Sequence, residues 1–346
     1  MTPRGFTIIA VATLVAVVAA GVSITGRSVG KDATLGGAVF PGLIDRVNDV
    51  ATVVLEHNGG AFTMQRGGGG TWSMKESDGY PVDAAKAKKM VVELADLKLA
   101  EAKTSQTGRY VKLQLNDPSE KDSQARRVRL LDAKGAVMAE AILGRIRYDM
   151  PGLRSEGVYL RKSNDPQAWL AVGAVSVATA AREWLQRAIV DISEDQVKSA
   201  DLVHPDGERL SVSKDDPKAS NFTLHGIPAG KKLKYETDPN NIASVVEKLE
   251  LEDARKADKI SFAGDKTITA TFVTGSGLTL TIKLTKASEK DWIKISAIAP
   301  AGSSAVELAG QINARADGWV FEVPGYKAAR MRKRMAEIIK DVKPGS

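Results

Sequence analysis

The sequence predicts an α+β chain: an N-terminal transmembrane helix followed by two tandem antiparallel α+β repeats. Three observations predict it. No charged side chain occurs between Phe6 and Gly26. A series of alternating strands, turn residues and one amphipathic helix occurs once after Val50 and again after Val197. Gly- and Asn-containing turn dipeptides separate the alternating runs, which is the signature of hairpins.

Residues 1–26 form the expected anchor, with the span at 6–26. About 20 apolar residues at ~1.5 Å each cover a hydrocarbon core of about 30 Å. The competing reading is a cleaved signal peptide, with Arg4 in its n-region and a small-residue site at Ala19, Ala20 and Gly21. The apolar run continues through Val22 and Ile24, longer than an ordinary signal core. Arg4 and the α-amino group precede the span, while Arg27 and Lys31 follow it, so the positive-inside rule leaves orientation open. Residues 27–38 read as a Gly-rich linker.

The repeats are assigned to 39–192 and 193–346. In the first, Val50–His57 turns at Asn58-Gly59-Gly60 and returns as Ala61–Arg66. A strand with Trp72 follows, and Asp83 caps a helix to Leu97. In the second, Val197–His204 turns at Pro205-Asp206-Gly207 into Glu208–Ser213. Phe222 takes the place of Trp72, and a helix is expected from Asp238 to Leu251, where Ile242, Val245, Val246 and Leu249 have helical spacing. Each repeat then continues with a hairpin, 126–143 or 267–284, and two strands. The closing helices are expected at Val177–Arg187 and from Gly325 to Val342. Segments 102–124 and 213–220 read as polar loops, and Ala299–Ala305 as a flexible insertion.

Composition narrows the chemistry. Among 346 residues, 43% are hydrophobic and 26% charged, the balance of a folded protein rather than a disordered one. With no cysteine, disulfides, thiolate metal sites and cysteine nucleophiles are excluded. The net charge of +7 is scattered. Its densest stretch, Lys327, Arg330, Arg332, Lys333 and Arg334, has only Tyr326 beside it. Nucleic-acid binding wants stacking aromatics among the cations, so none is expected. The bland reading is a solvated helix with cations near its C-terminus.

The run Phe40-Pro41-Gly42-Leu43 through Val50 resembles the opening of a known family. So do Gly79-Tyr80-Pro81-Val82-Asp83, Glu156-Gly157-Val158-Tyr159-Leu160-Arg161, Glu183-Trp184-Leu185-Gln186-Arg187, His204-Pro205-Asp206-Gly207 and Leu224-His225-Gly226-Ile227-Pro228. In this order they resemble proteobacterial members of the domain of unknown function 4340 (DUF4340), over roughly residues 39–260. The resemblance implies a single-pass inner-membrane protein with its C-terminal region in the periplasm. It also implies a gene setting beside a gliding-motility-type ABC transporter, hence a permease or auxiliary subunit as partner. It brings no catalytic residues.

No catalytic, cofactor-binding or metal-ligating residue is assigned. His57 and His204 occupy equivalent positions, which points to architecture, and no histidine pair has helical zinc spacing with His225 or otherwise. Gly67–Gly70 lacks the Lys-Ser/Thr mouth of a phosphate loop. Gly275-Ser276-Gly277 lacks the frame of a nucleophile elbow. Glu250, Glu252 and Asp253, like Asp215-Asp216, lack calcium-loop spacing. Trp72, Trp169, Trp184, Trp292 and Trp319 are expected in the core rather than as partner anchors. The function expected is therefore non-catalytic: an accessory protein of an ABC-type export or envelope-assembly complex, acting by protein–protein interaction at strand edges or an inter-repeat groove. The alternative is a periplasmic lipid- or glycan-binding module, and a hydrolase is the most remote reading.

Overall fold

A computed structural model describes residues 35–150, 156–216 and 219–342. The first half of the chain supplies β1 (Val50–His57), β2 (Gly60–Arg66), β3 (Trp72–Met74), β4 (Tyr80–Pro81), helix α1 (Ala84–Ala95), β5 (Lys98–Thr104), β6 (Arg126–Asp132), β7 (Val137–Arg147), β8 (Gly157–Lys162) and β9 (Ala168–Val172). The second half supplies β10 (Ala188–Val190), β11 (Val197–Val203), β12 (Arg209–Ser213), β13 (Thr223–Leu224), β14 (Lys231–Leu233), α2 (Asp238–Ala243), β15 (Leu249–Glu250) and β16 (Asp253–Lys256). It continues with β17 (Ile268–Thr274), β18 (Thr279–Ala287), β19 (Lys290–Ile298), α3 (Val306–Ala316), β20 (Trp319–Glu322), α4 (Gly325–Met331), α5 (Met335–Ile338) and β21 (Ile339–Asp341).

Two compact units result. One takes Met1–Gly67 with Ala85–Thr179, the other Gly68–Ala84 with Ala180–Ser346. In the first unit the strands run in the order β2-β1-β6-β7-β8-β9-β5. In the second, an eight-stranded sheet runs β13-β12-β11-β17-β18-β19-β20-β16. With β1 matched to β11 and β5 to β16, the seven strands of the first unit follow the same order as β12 to β16 of the second, where β13 adds one more strand at the edge. The match extends to a bulge: β1 shifts register against β6 between Val50 and Thr52, and β11 against β17 between Val197 and Ser199. A bulge inserts one unpaired residue and turns the strand locally, so its recurrence fixes the residue-level correspondence of the repeats.

The α+β assignment with a membrane helix is corrected. Among the described residues strand outweighs helix, 39% against 25%, and the sheets are antiparallel. No helix among the described residues is long and apolar enough to cross a membrane. The span placed at 6–26 and most of linker 27–38 lie outside the described residues. The single-pass inner-membrane localisation is accordingly withdrawn.

The helices are where the physics diverges. The expected helix 177–187 is a single 3-10 turn, Ala181–Trp184, because Leu185 must be extended to bridge Val82. From Asp238, α2 ends at Ala243, a 3-10 turn holds Ser244–Val246, and Leu249 goes to β15. From Gly325, α4 and α5 end in strand β21. Helix α3 follows directly on the segment read as a flexible insertion. It buries Ala309, Ile312 and Ala316, one narrow stripe of mostly small residues.

In the first unit the outer sheet face is roofed. Residues 107–125 bring Tyr110, Leu115 and Ala125 over Ile142, Tyr159 and Leu170. Arg161 clamps this roof by donating to the Leu115 carbonyl at 2.9 Å and lying 4.9 Å from the Tyr110 ring centre. The roof lies so close to β7 that a Cβ on Gly144 would collide with the Leu113 carbonyl oxygen and come 2.9 Å from that of Gln114.

Candidate docking face

Two of the motifs that carry the family resemblance are one structure. The segment Tyr80–Asp83 lies antiparallel to Trp184–Gln186: the Asp83 amide donates to the Trp184 carbonyl at 2.7 Å, and the Gln186 amide to Pro81 at 3.1 Å. Val82 bridges Leu185. The Tyr80 hydroxyl donates to the Gln186 carbonyl at 3.2 Å, and its ring meets Trp319 edge-on, centroids 4.9 Å apart. Burial of this phenol raises its pKa to about 12. A tyrosine so placed is packing, not a proton donor at neutral pH.

A third motif is a latch. Arg334 pairs with Glu208 and, at 2.8 Å, with Asp206. The Met335 amide donates to Glu208 at 2.9 Å, and the buried His204 ring donates from Nε2 to the Lys333 carbonyl at 3.0 Å. The turn Pro205-Asp206-Gly207 thus grips the chain just before α5. Glu208 is held below the usual carboxylate range, first by the Met335 amide and then by Arg334. Asp206 is lowered first by the Glu208 amide and then by Arg334.

The rest of the basic stretch is engaged in the same way. Arg332 pairs with Asp291, Arg330 donates to Ser244 Oγ at 3.1 Å, and Lys333 stands 3.7 Å from Glu337. Lys327 is buried, donating to the carbonyls of Ser244 at 3.0 Å and Glu247 at 2.5 Å. Burial, reinforced by Arg330, lowers its pKa to about 8.

The clefts are polar and mostly self-paired. One of about 480 Å³, lined by Ser77, Arg182, Glu252, Asp253, Arg255 and Lys290 among others, contains the pairs Arg182–Glu252 and Arg255–Asp253, the latter at 2.7 Å. Another of about 570 Å³ is lined by Asn116, Asp117, Asn164 and Asp165, and by Tyr110 beneath Arg161. Ser119 amide donation to Asp117 keeps that carboxyl lowered, aided by Arg127. A fully paired carboxylate is a poor general base.

The sequence-singled residues fall as follows. His57 Nδ1 accepts from the Gly59 amide at 3.0 Å in the first unit, and His225 Nε2 meets the Ser213 hydroxyl at 2.7 Å in the second. Gly68–Gly70 make a 3-10 turn before β3. Ser276, in the β17–β18 turn, bonds Thr274 Oγ1 at 2.8 Å. Glu250 pairs with Arg187 at 2.6 Å. Trp72, Trp169, Trp184 and Trp292 are buried, and Trp319 is half-buried with Lys256 Nζ 3.8 Å from its ring centre. Among the described residues, no group of three His, Asp or Glu is placed to hold a metal ion.

What sequence reasoning missed is a face, not a residue. In the second unit, one row across five strands reads Ser211, Asp201, Thr271, Thr281, Ser296, each directly opposite the next. The adjacent row reads Arg209, Val203, Thr269, Lys283, Lys294. None of these ten is buried, while the alternate residues Leu202, Leu210, Ala270, Phe272 and Ile282 are. The face is therefore hydroxyl-rich and open. Its counterpart in the first unit is the roofed one. Ile142 and Arg161, which seat the roof, correspond by register to Lys283 and Lys294. Arg209, Lys283 and Lys294 are exposed and have no ion-pair partner among the described residues. The signal was present in the sequence only as strand alternation; the rows appear once register is known.

No curated protein and no solved structure matches the chain. A profile of the family described as "Domain of unknown function (DUF4340)" matches residues 72–266, more than half of its length. That stretch holds the paired motifs at Tyr80–Asp83 and Trp184–Gln186 and the gripping turn after His204, so the chain belongs to the DUF4340 family.

Proposed function

We propose that this protein is a non-catalytic accessory subunit that works by protein–protein interaction, within the ABC-type export or envelope-assembly complex that its family resemblance implies. The observation that carries this reading is the open face of the second unit. It is a rigid five-strand surface left bare where the corresponding surface of the first unit is roofed. The Ser and Thr side chains of this surface cost little side-chain entropy on docking. The charge clusters elsewhere support the reading too, since they are paired internally rather than poised around a vacant reaction centre.

The competing lipid- or glycan-binding reading draws less support. The polar cleft of the first unit holds a single aromatic, Tyr110, which is buried under Arg161 and offers no open ring for a sugar. The test is affinity purification of the tagged full-length protein from its native cells in mild detergent. Recovery of an ABC permease, ATPase or auxiliary subunit in fixed proportion is the expected result. Recovery of the protein alone, at a yield that would reveal such subunits, overturns the proposal.

A further inference from the structure

We infer that the open face of the second unit docks an acidic protein surface, and that Arg209, Lys283 and Lys294 select it. This deepens the accessory-subunit reading and rests on it.

The argument begins with a local cost. Lys283 and Lys294 face each other directly across β18 and β19, and like charges so placed destabilise a sheet. Arg209 stands at the far end of the same row. A solvated face needs no such arrangement, because the neighbouring row, four hydroxyl side chains and Asp201, already keeps it wet. Carboxylates from a partner would relieve the repulsion and gain charge-assisted hydrogen bonds. The short hydroxyls between them would take up the partner's backbone and amide groups. Asp201, which accepts from the Ser211 hydroxyl within the sheet, offsets one of the three cations and leaves the two rows with a net positive charge.

The shape and composition choose a protein over other polyanions. Five strands about 4.8 Å apart give a surface about 19 Å wide, with no groove along it for an extended chain. No aromatic occurs in either row, so neither bases nor sugar rings find a stacking platform. The area is below that of a standard interface, so the docking is weak and salt-sensitive. The face is built chiefly from β17, β18 and β19, all beyond residue 266 where the family profile ends.

The chain has no cysteine, so Ser296→Cys in the full-length protein accepts a single environment-sensitive dye at the edge of the face. A short poly-L-glutamate peptide is titrated as a carboxylate probe, with heparin and phosphatidylglycerol vesicles as the glycan and lipid arms. The dye should respond to the peptide, the response should fade with salt, and Lys283→Glu with Lys294→Glu should weaken it about tenfold. Lys88→Glu with Lys89→Glu on α1 serves as a charge-matched control and should leave it unchanged. Equal weakening by the control pair, no effect of the Lys283/Lys294 pair, or a response to heparin or vesicles in preference to the peptide overturns the inference. The outcomes remain separable from the broader proposal: co-purification of the transporter subunits that survives Lys283→Glu and Lys294→Glu rejects this face alone, whereas failure of the unmodified protein to recover them rejects the accessory role.

Discussion

The side-chain amide of Asn313 makes both backbone hydrogen bonds that a neighbouring strand would make to Ala297. Its Oδ1 accepts from the Ala297 amide at 2.8 Å and its Nδ2 donates to the Ala297 carbonyl at 2.7 Å. The need arises because β20 pairs with β19 only at Trp292 and Ile293, whereas its counterpart β9 pairs along β8 from Gly157 to Arg161. Helix α3 occupies the rest of that edge. Asn313→Ala should therefore leave two backbone groups at the buried Ala297 unpaired and cost about 1–3 kcal/mol, read from urea unfolding. Asn313→Asp keeps the acceptor but sets a carboxylate against the carbonyl, and should be no better.

The latch at His204–Glu208 predicts acid sensitivity at one place. Asp206 and Glu208 both titrate below their ordinary values of 3.8 and 4.5 in the folded protein. Their contribution is present above those values and is lost as pH falls through the lowered ones. Protection over 335–341, taken relative to the intrinsic exchange rate at each pH, should fall below about pH 4 while that of β17–β18 is kept. Arg334→Ala should produce the same loss of protection already at pH 7. Unchanged exchange in that variant would mean the latch is not what holds the segment.

Lys327 predicts a trend of the same sign at high pH. Its folded pKa of about 8 lies below the ordinary 10.5, so between these values the unfolded chain binds more protons and stability rises with pH. The gain should reach about 1–3 kcal/mol by pH 10, since each pH unit crossed between the two values adds at most ~1.4 kcal/mol. Lys327→Met should flatten that rise. A second group, Tyr80, then works against it, because its raised pKa removes stability as pH climbs from 10 towards about 12.

Gly144→Ala should loosen the roof of the first unit. The added methyl meets the Leu113 and Gln114 carbonyls, which are backbone and cannot swing away. Overpacking of this kind costs about 1–3 kcal/mol. Proteolytic cleavage within 107–125 should rise in step with it.

Strands were legible because their alternation is written residue by residue: Leu202, Leu210 and Phe272 point inward, Asp201, Ser211 and Thr271 outward. The exception is β5, whose sequence Lys-Leu-Ala-Glu-Ala-Lys-Thr favours helix by propensity and becomes a strand only because β9 pairs with it. The helices were overread for the reverse reason. Ile242, Val245, Val246 and Leu249 fit a helical stripe, but Leu249 is buried as part of β15, and over so short a run the two periods cannot be told apart. Helix α3 was passed over because Gly310 and Asn313 depress its propensity, and the reason for Asn313 lies in a strand sixteen residues earlier. The docking face was hidden because Lys283 and Lys294 become neighbours only through the β18–β19 register.

The membership of Gly68–Ala84 in the second unit also bears on how the chain is made. Tyr80 leaves the ribosome long before Trp319 and Phe321, the rings against which it packs. Until synthesis reaches them, an aromatic side chain and the extended segment around it stay uncovered, a state in which nascent chains attract chaperones or one another. The first unit has meanwhile received all of its strands. Translation thus delivers the two units in nested order, the second begun before the first is complete and closed last.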